Sequence, residues 1–279
     1  MNYKDPRHYQ ISVLASLLAY GTFVLDFSIE FQNVLAISIS ALVTQYLFSV
    51  GSSLKFEPRS ALISILSLCL FLRTNDINMA CLAGFLAIAS KFVLRYNGKH
   101  IFNPTNFSIV ILLLLADSVW ISPGQWGSVA YLATLIACFG SLVVFRAKRS
   151  DVTYAFIFFY VAIVFGRAIW LGDPLTIPLH QIQNGTLIIF SFFMISDPMT
   201  TPNSRLGRII FALLVAVVGA YIQFWRYEPN GVLYALIICS CLVPFIDRLL
   251  LAERYAWDRP TTGEKRRSHI LRQAPSIQH

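Results

Sequence analysis

The chain has 279 residues, of which 56% are hydrophobic and 13% charged. That is about half the charged share of a soluble domain, too little polar surface to coat a water-soluble globule, so composition predicts a polytopic membrane protein. The formal net charge of +8 is accounted for by loops on one side of a membrane, as set out below, and predicts no nucleic-acid partner.

In chain order, apolar segments predict spans near residues 9–25, 31–50, 60–72, 78–95, 104–116, 127–145, 152–170, 185–196, 208–225 and 231–246. The first is expected to be retained, because Tyr20 to Phe27 offers no small-residue cleavage pattern and further spans follow. A clean spanning helix needs roughly 20 apolar residues for a hydrocarbon core of about 30 Å. The run Thr186 to Ile195 holds only ten and is followed by the polar stretch MISDPMTTPNSRLGR, Met194 to Arg208. A helix that stops inside the membrane is the expectation there.

Charge gives an independent check on this count, because Lys and Arg collect on the cytoplasmic side of short loops. With sides alternating from the N-terminus, nineteen of the 22 basic residues fall on one face, including Lys55, Lys91, Lys99, Arg149, Arg205 and Arg208, and only Arg73, Arg167 and Arg226 fall on the other. Trp120, Trp126, Trp170 and Trp225 sit at the outer ends, as interfacial anchors do. Ten spans with both termini in the cytoplasm is the predicted topology. Residues 1–251 then form one membrane domain, and 252–279 a basic cytoplasmic tail that is expected to be disordered and to meet anionic lipid.

Cys69, Cys81, Cys138, Cys239 and Cys241 contain no C-x-x-C pair and read as buried small hydrophobes within or at the edge of spans. His8, His100, His180, His269 and His279 are expected in loops or tails, so neither haem nor an iron–sulfur cluster is predicted. No G-x-G-x-x-G or Walker A run is present in the sequence.

Order within the chain repeats. A short span, RTNDIN, a span and NGKHIFNPTNF leading into another are echoed by a short span, SDPMTTPNS, a span and RYEPNGVLY. Asp76 corresponds to Asp197 at a separation of 121 residues, and Asn103-Pro104 to Glu228-Pro229 at 125. Two five-span halves, about 9–116 and 127–246, must lie in opposite orientations because each contains an odd number of spans. The expected fold class is therefore an all-α integral membrane protein of about ten helices in two inverted repeats with short or broken helices. Such breaks point to a ligand site where half-helix termini expose dipoles and free backbone groups.

The blocks IFNPTNF (Ile101–Phe107), FFMISDPMTTPNSRLGRIIFALL (Phe192–Leu214) and EPNGVLYALIICSCLVPFIDR (Glu228–Arg248) resemble, in order and spacing, those of the RnfD/NqrB family of membrane electron-transport subunits. The chain is most similar to the short RnfD-like (UnbU-like) members. The resemblance implies the ten-span inverted fold, a bacterial inner-membrane location and partner membrane redox subunits. Family members carry FMN on a Thr of an S-x-A-T motif in the outer loop between the fifth and sixth spans. Here that loop, ADSVWISPGQWG (Ala116–Gly127), has no Thr, and Ser118 and Ser122 lack the flanking pattern. Covalent FMN is therefore not expected, whereas a noncovalent flavin (FMN or riboflavin) or quinone site is compatible with the chain.

The candidate ligand site is Asp197, Thr200, Thr201, Arg205 and Arg208, with Asn103, Thr105 and Asn106 close by. Thr201-Pro202 reads as an N-cap with Pro at the first helical position, and Arg205 and Arg208, three apart, share a helix face that suits a phosphate or carboxylate. Simple capping and positive-inside anchoring explain the same residues equally well. Two functions stay open: a redox subunit, and a small-molecule or ion transporter or channel with a midplane site. The topology is tested with single Cys residues in a Cys-free background. Positions 122 and 173 should react with an impermeant thiol reagent in intact cells and position 150 should not. Labelling at 150 would overturn the ten-span arrangement.

Overall fold

The computed structural model describes residues 5–25, 29–121 and 130–255. The first half holds helices α1 (Pro6–Phe23), α2 (Phe31–Gly51), α3 (Pro58–Phe71), α4 (Ile77–Val93) and α5 (Pro104–Leu115). The second holds α6 (Ala130–Arg146), α7 (Ser150–Leu171), α8 (Thr176–Ile182), α9 (Gly185–Ile189) with a π-helical turn at Phe190–Met194, α10 (Arg205–Trp225), α11 (Gly231–Ser240) and α12 (Val243–Leu249). The all-α membrane class follows from these elements. Among the described residues three helices, α2, α7 and α10, are long and apolar enough to cross a bilayer, and α11 with α12 forms a further candidate bent by 49°. Each predicted apolar segment contains a helix.

Four local features differ from expectation. α8 lies outside every predicted apolar segment. The last of those segments is broken at Cys241–Leu242, with Pro244 just inside α12, where its missing N–H is harmless. His8 lies in α1 and His180 in α8 rather than in loops. Of the cysteines, Cys69 and Cys239 are buried, while Cys81, Cys138 and Cys241 are exposed on helix surfaces. Ser122, Trp126 and the tail beyond Tyr255 lie outside the described residues.

Packing repeats between the halves. α1 packs on α3, α2 on α4 and α4 on α5; in the second half α6 packs on α9 and its π turn, α7 on α10 and α10 on α11. Across the middle, α5 meets α11. Among the described residues there are also two short antiparallel pairs. β1 (Leu72–Thr74) pairs with β4 (Val119–Ile121), and β2 (Arg95–Tyr96) pairs with β3 (Lys99–His100). The second hairpin turns on Asn97 and Gly98, both at positive φ (47° and 69°), the two left-handed residues of a primed turn.

Close helix approach depends on glycine. A Cβ on Gly231 of α11 would stand 2.6 Å from the Gly219 carbonyl oxygen and 2.9 Å from the Gln223 nitrogen of α10, both backbone atoms that cannot rotate away. One on Gly166 would meet nothing within 4 Å. Gly231→Val should therefore lower the midpoint of thermal unfolding in mild detergent by several degrees, through overpacking of about 1–3 kcal/mol, whereas Gly166→Ala should leave it unchanged or raise it. Equal midpoints would refute this account of the α10–α11 contact.

Candidate functional site

The short helix α9 and its π turn end where Ile195 N–H donates to Phe190 O, and the chain then runs non-helically to Ser204. Asp197 organises this stretch. Its Oδ1 accepts from Met199 N–H at 3.0 Å, closing an Asx turn, and its carbonyl accepts from the Thr200 and Thr201 N–H groups and both hydroxyls. Asp76 makes the same Asx turn in the first half, accepting from Asn78 N–H at 2.8 Å.

α10 does not begin at Pro202 as expected. Its N-cap is Ser204, whose hydroxyl accepts from Gly207 N–H at 3.0 Å. The displaced cap has a local cause: the Thr201 hydroxyl is already engaged by Asp197 O and by Arg149 Nε, each at 3.1 Å. Asp247, from α12, holds the intervening residues by accepting from Asn203 N–H at 2.7 Å and from its side-chain amide at 2.9 Å.

The β2–β3 hairpin feeds this region from the first half. Successive strand residues point to opposite sides. Lys99 turns toward the second half, where its ammonium reaches Thr201 O at 2.7 Å and Asp247 Oδ2 at 2.9 Å. His100 turns into a cavity of about 410 Å³.

That cavity lies at the basic end of the bundle, between α1, α3, the ends of α4 and α6, the start of α5 and the Phe193–Met199 segment. Asn103 joins its two sides: as N-cap of α5 it accepts from Asn106 N–H, while its amide donates to Met194 O at 3.3 Å and Asp197 Oδ2 at 3.4 Å. Lys91 is 5% exposed and donates to Ser60 O at 2.7 Å and Ser60 Oγ at 3.2 Å. Two buried atoms of lining residues, Gln45 Oε1 and His100 Nδ1, have no partner among the described residues. The rim is charged. Asp5 pairs with Arg7 at 2.7 Å and Arg59 at 2.9 Å, and Arg7 with Glu57 at 3.1 Å. Burial raises the Asp5 carboxyl, but hydrogen bonds from Arg7 and the charges of Arg7 and Arg59 outweigh it and hold it below the ordinary range.

The structure divides the residues singled out from the sequence. Asp197, Asn103 and Thr105 line the cavity. Thr200 and Thr201 are buried behind them, and Asn106 is turned to Leu233 O of α11 at 3.0 Å. Arg205 and Arg208 are not brought to it. Arg208 is buried against Asp151 of α7, with Nη2 at 2.6 Å, and Arg205 is exposed on the outside of α10. On the flank of α10, Arg208 is taken up by Asp151, which its Nε also reaches at 2.9 Å. The sequence reading missed Gln45, Lys91 and His100. Lys91 was detectable as a charge inside an apolar run, and the Asn97-Gly98 dipeptide announced the hairpin that delivers His100.

Residues 117–256 match the model of the NQR2, RnfD, RnfE family. The chain belongs to this family. The match takes in the whole non-helical stretch after the π turn, whereas the Ile101–Phe107 block lies outside it. Similar proteins include the D-subunit of the ion-translocating oxidoreductase complex of Alcanivorax borkumensis, 34% identical over 80 residues that cover 28% of this chain and 23% of that one. The D-subunits of the same complex from Cellvibrio japonicus (26% identical; 53% and 41% covered) and Shewanella pealeana (29%; 47% and 36%) match longer stretches. The chain spans less than half the length of these relatives. As a family member with several apolar helices, it is a multi-pass membrane protein. Among the described residues no group of three or more His, Cys, Asp or Glu is placed to hold a metal.

His100 gives the cavity a pH signature. Burial first, then the positive charges of Lys91 and Arg95, push its imidazole down to about 3 from 6.5, against a backbone hydrogen bond at Lys91 that pulls it up. The unfolded chain therefore takes up a proton near pH 6.5 that the folded chain refuses until about pH 3, so stability is full above 6.5 and falls as the pH drops through that window. The thermal midpoint in detergent should fall between pH 7 and pH 4, and His100→Gln should flatten that slope. An unchanged slope in the variant would show that the imidazole is not held neutral.

Proposed function

We propose that this chain is a membrane subunit of an electron-transport system, and that the basic-end cavity binds a flavin or quinone noncovalently, in contact with Asp197, Asn103 and Thr105. The observation that carries the reading is the pair of unpartnered buried atoms, Gln45 Oε1 and His100 Nδ1, in a lined cavity of about 410 Å³. Buried polar atoms without partners are costly in native structures and are commonly explained by a missing ligand or water. The volume falls in the usual range for small-molecule sites.

The residues fit the group. A carbonyl of either ring system would find donors in the Lys91 ammonium and the Ser64 and Ser67 hydroxyls, all of which line the cavity. Either group would supply reversible acceptance and release of electrons, which no side chain here provides. The chain's own residues bind and orient it. Lys91, fixed by Ser60, stands beside the ring as a hydrogen-bond donor, Asn103 and Asp197 hold the floor, and Phe193 and Met194 supply apolar walls.

Support for partners comes from the relatives, which are named as subunits of an ion-translocating oxidoreductase complex. Partner redox subunits would bring and remove the electrons, and the location would be a bacterial inner membrane. The arrangement in that membrane is read as ten spans in two inverted halves, both termini cytoplasmic, with 252–279 as a cytoplasmic tail. The repeated packing order and the two Asx turns at Asp76 and Asp197 support it. The same repetition favours the second reading, a transporter or channel working at this cavity.

Absorbance of the protein purified in mild detergent separates the readings. The redox reading expects flavin bands or an extractable quinone, released on denaturation and leaving an intact mass without an FMN adduct. Gln45→Leu should reduce that occupancy strongly at a stability cost of at most about 1 kcal/mol, since it gives up the 3.2 Å hydrogen bond from Gln45 Nε2 to Ser49 Oγ but also removes a buried acceptor that has no partner among the described residues. A colourless, quinone-free and flux-competent protein would favour transport instead, and an adduct mapped to Ser118 or Ser122 would overturn noncovalent binding.

A further inference from the structure

A second concavity lies outside the bundle. A groove of about 770 Å³ runs along α7, flanked by the end of α6 and the start of α10. Its lining changes character along its length. Lys148, Ser150, Asp151 and Arg205 form one end, at the basic face, while Tyr154, Phe158 and Phe159 continue down α7 beside Phe145 and Ile209. Ser150 to Phe159 rises about 14 Å at 1.5 Å per residue, so the apolar part extends well below the charged end. Phe145, Tyr154 and Phe158 are 72%, 50% and 67% exposed, so the groove faces outward.

The charge at its head is unbalanced. Asp151 is neutralised by Arg208 at 2.6 Å. Lys148 and Arg205 are both exposed, and neither has an ion pair among the described residues. The backbone at Lys148 provides a control for the test. It closes the α6–α7 turn at φ 56°, in the left-handed region where glycine is the default and a lysine is strained.

We propose that this groove is a binding site for an anionic phospholipid of the leaflet at the basic end, with its phosphate between Lys148 and Arg205 and an acyl chain along Tyr154, Phe158 and Ile209. The commitment to lipid follows from the groove itself. A soluble anion would use the two cations but leave the outward-facing aromatic wall without an occupant, and a zwitterionic lipid would bring no net negative charge to offset the two cations. The site is separate from the cavity at Asp197 and does not depend on what that cavity holds.

The test uses the full chain in detergent micelles doped with equal amounts of phosphatidylglycerol and phosphatidylcholine, with bound lipid counted by native mass spectrometry. The wild type should retain phosphatidylglycerol selectively. Lys148→Gln and Arg205→Gln should each lower that preference roughly fivefold and the double variant roughly 25-fold, from about one basic contact each. Arg248→Gln, which removes a charge from the same face outside the groove, should leave it unchanged. Lys148→Gly controls for folding: it relieves the left-handed backbone, so thermal stability should hold or rise while the lipid preference falls. Equal retention of the two lipids by the wild type would overturn the site outright, and a loss in Arg248→Gln as large as in the groove variants would overturn it in favour of general attraction to the basic face.

Discussion

Non-helical backbone is the constraint around which this molecule is built. In a bilayer each peptide group must find a partner within the protein, so a break in a helix is tolerated only where it is buried in protein or lines a cavity. Ile195 to Ser204 is such a break, and side chains from both halves satisfy it. Lys99 takes the Thr201 carbonyl, Asn103 the Met194 carbonyl, Asp247 the Asn203 N–H, and Arg208 the Asn203 carbonyl at 2.6 Å. The segment is thus held from α5, α10, α12 and the β2–β3 hairpin at once.

These partners are mostly charged, and buried charges are expensive unless paired. Arg208 is matched by Asp151, Lys99 by Asp247, and Arg7 by Asp5 and Glu57. Removing one member of a buried pair typically costs about 3–5 kcal/mol, because the other is left uncompensated. The charged loops that read in the sequence as markers of membrane side are therefore also the internal fastening of the basic end. One population of residues serves both roles, which is why a rule about charge counts could assign these loops to one face but could not say what each arginine touches.

Legibility follows the range of the forces involved. Apolar run length and spacing are local properties, and they place α2, α7 and α10 within a few residues of the segments read from hydropathy. The ten-residue run before Ser196 likewise exposed the short α9 and its π turn. The start of α10 was misplaced by three residues because Thr201 spends its hydroxyl on Asp197 and Arg149, contacts invisible to a capping rule. The site was half legible for the same reason. Asp197, Asn103 and Thr105 stand at breaks and could be found there. Gln45 and Lys91 lie inside regular helices, and reach the cavity only through the packing of α2 on α4 and α4 on α3. Arg205 and Arg208 have the right chemistry for an anion on paper, but α10 turns them along its flank and Asp151 captures one of them.

The two breaks are chemically unequal, and that inequality places the cavity. At Arg73 to Asp76 the chain leaving α3 is paired by a neighbouring backbone, because β1 lies against β4 with Thr74 opposite Val119. A strand partner satisfies peptide groups at short range and brings its own bulk, and the space beside it is only about 90 Å³. At Ile195 to Ser204 no strand pairs with the chain among the described residues, and long side chains reach in from a distance instead. Side chains satisfy a backbone without filling the volume next to it, and that end retains about 410 Å³. In the inverted arrangement proposed here the same local turn, closed by Asp76 and by Asp197, faces opposite sides of the membrane. A sealed break on one side and an open one on the other is the asymmetry that a one-sided ligand site requires.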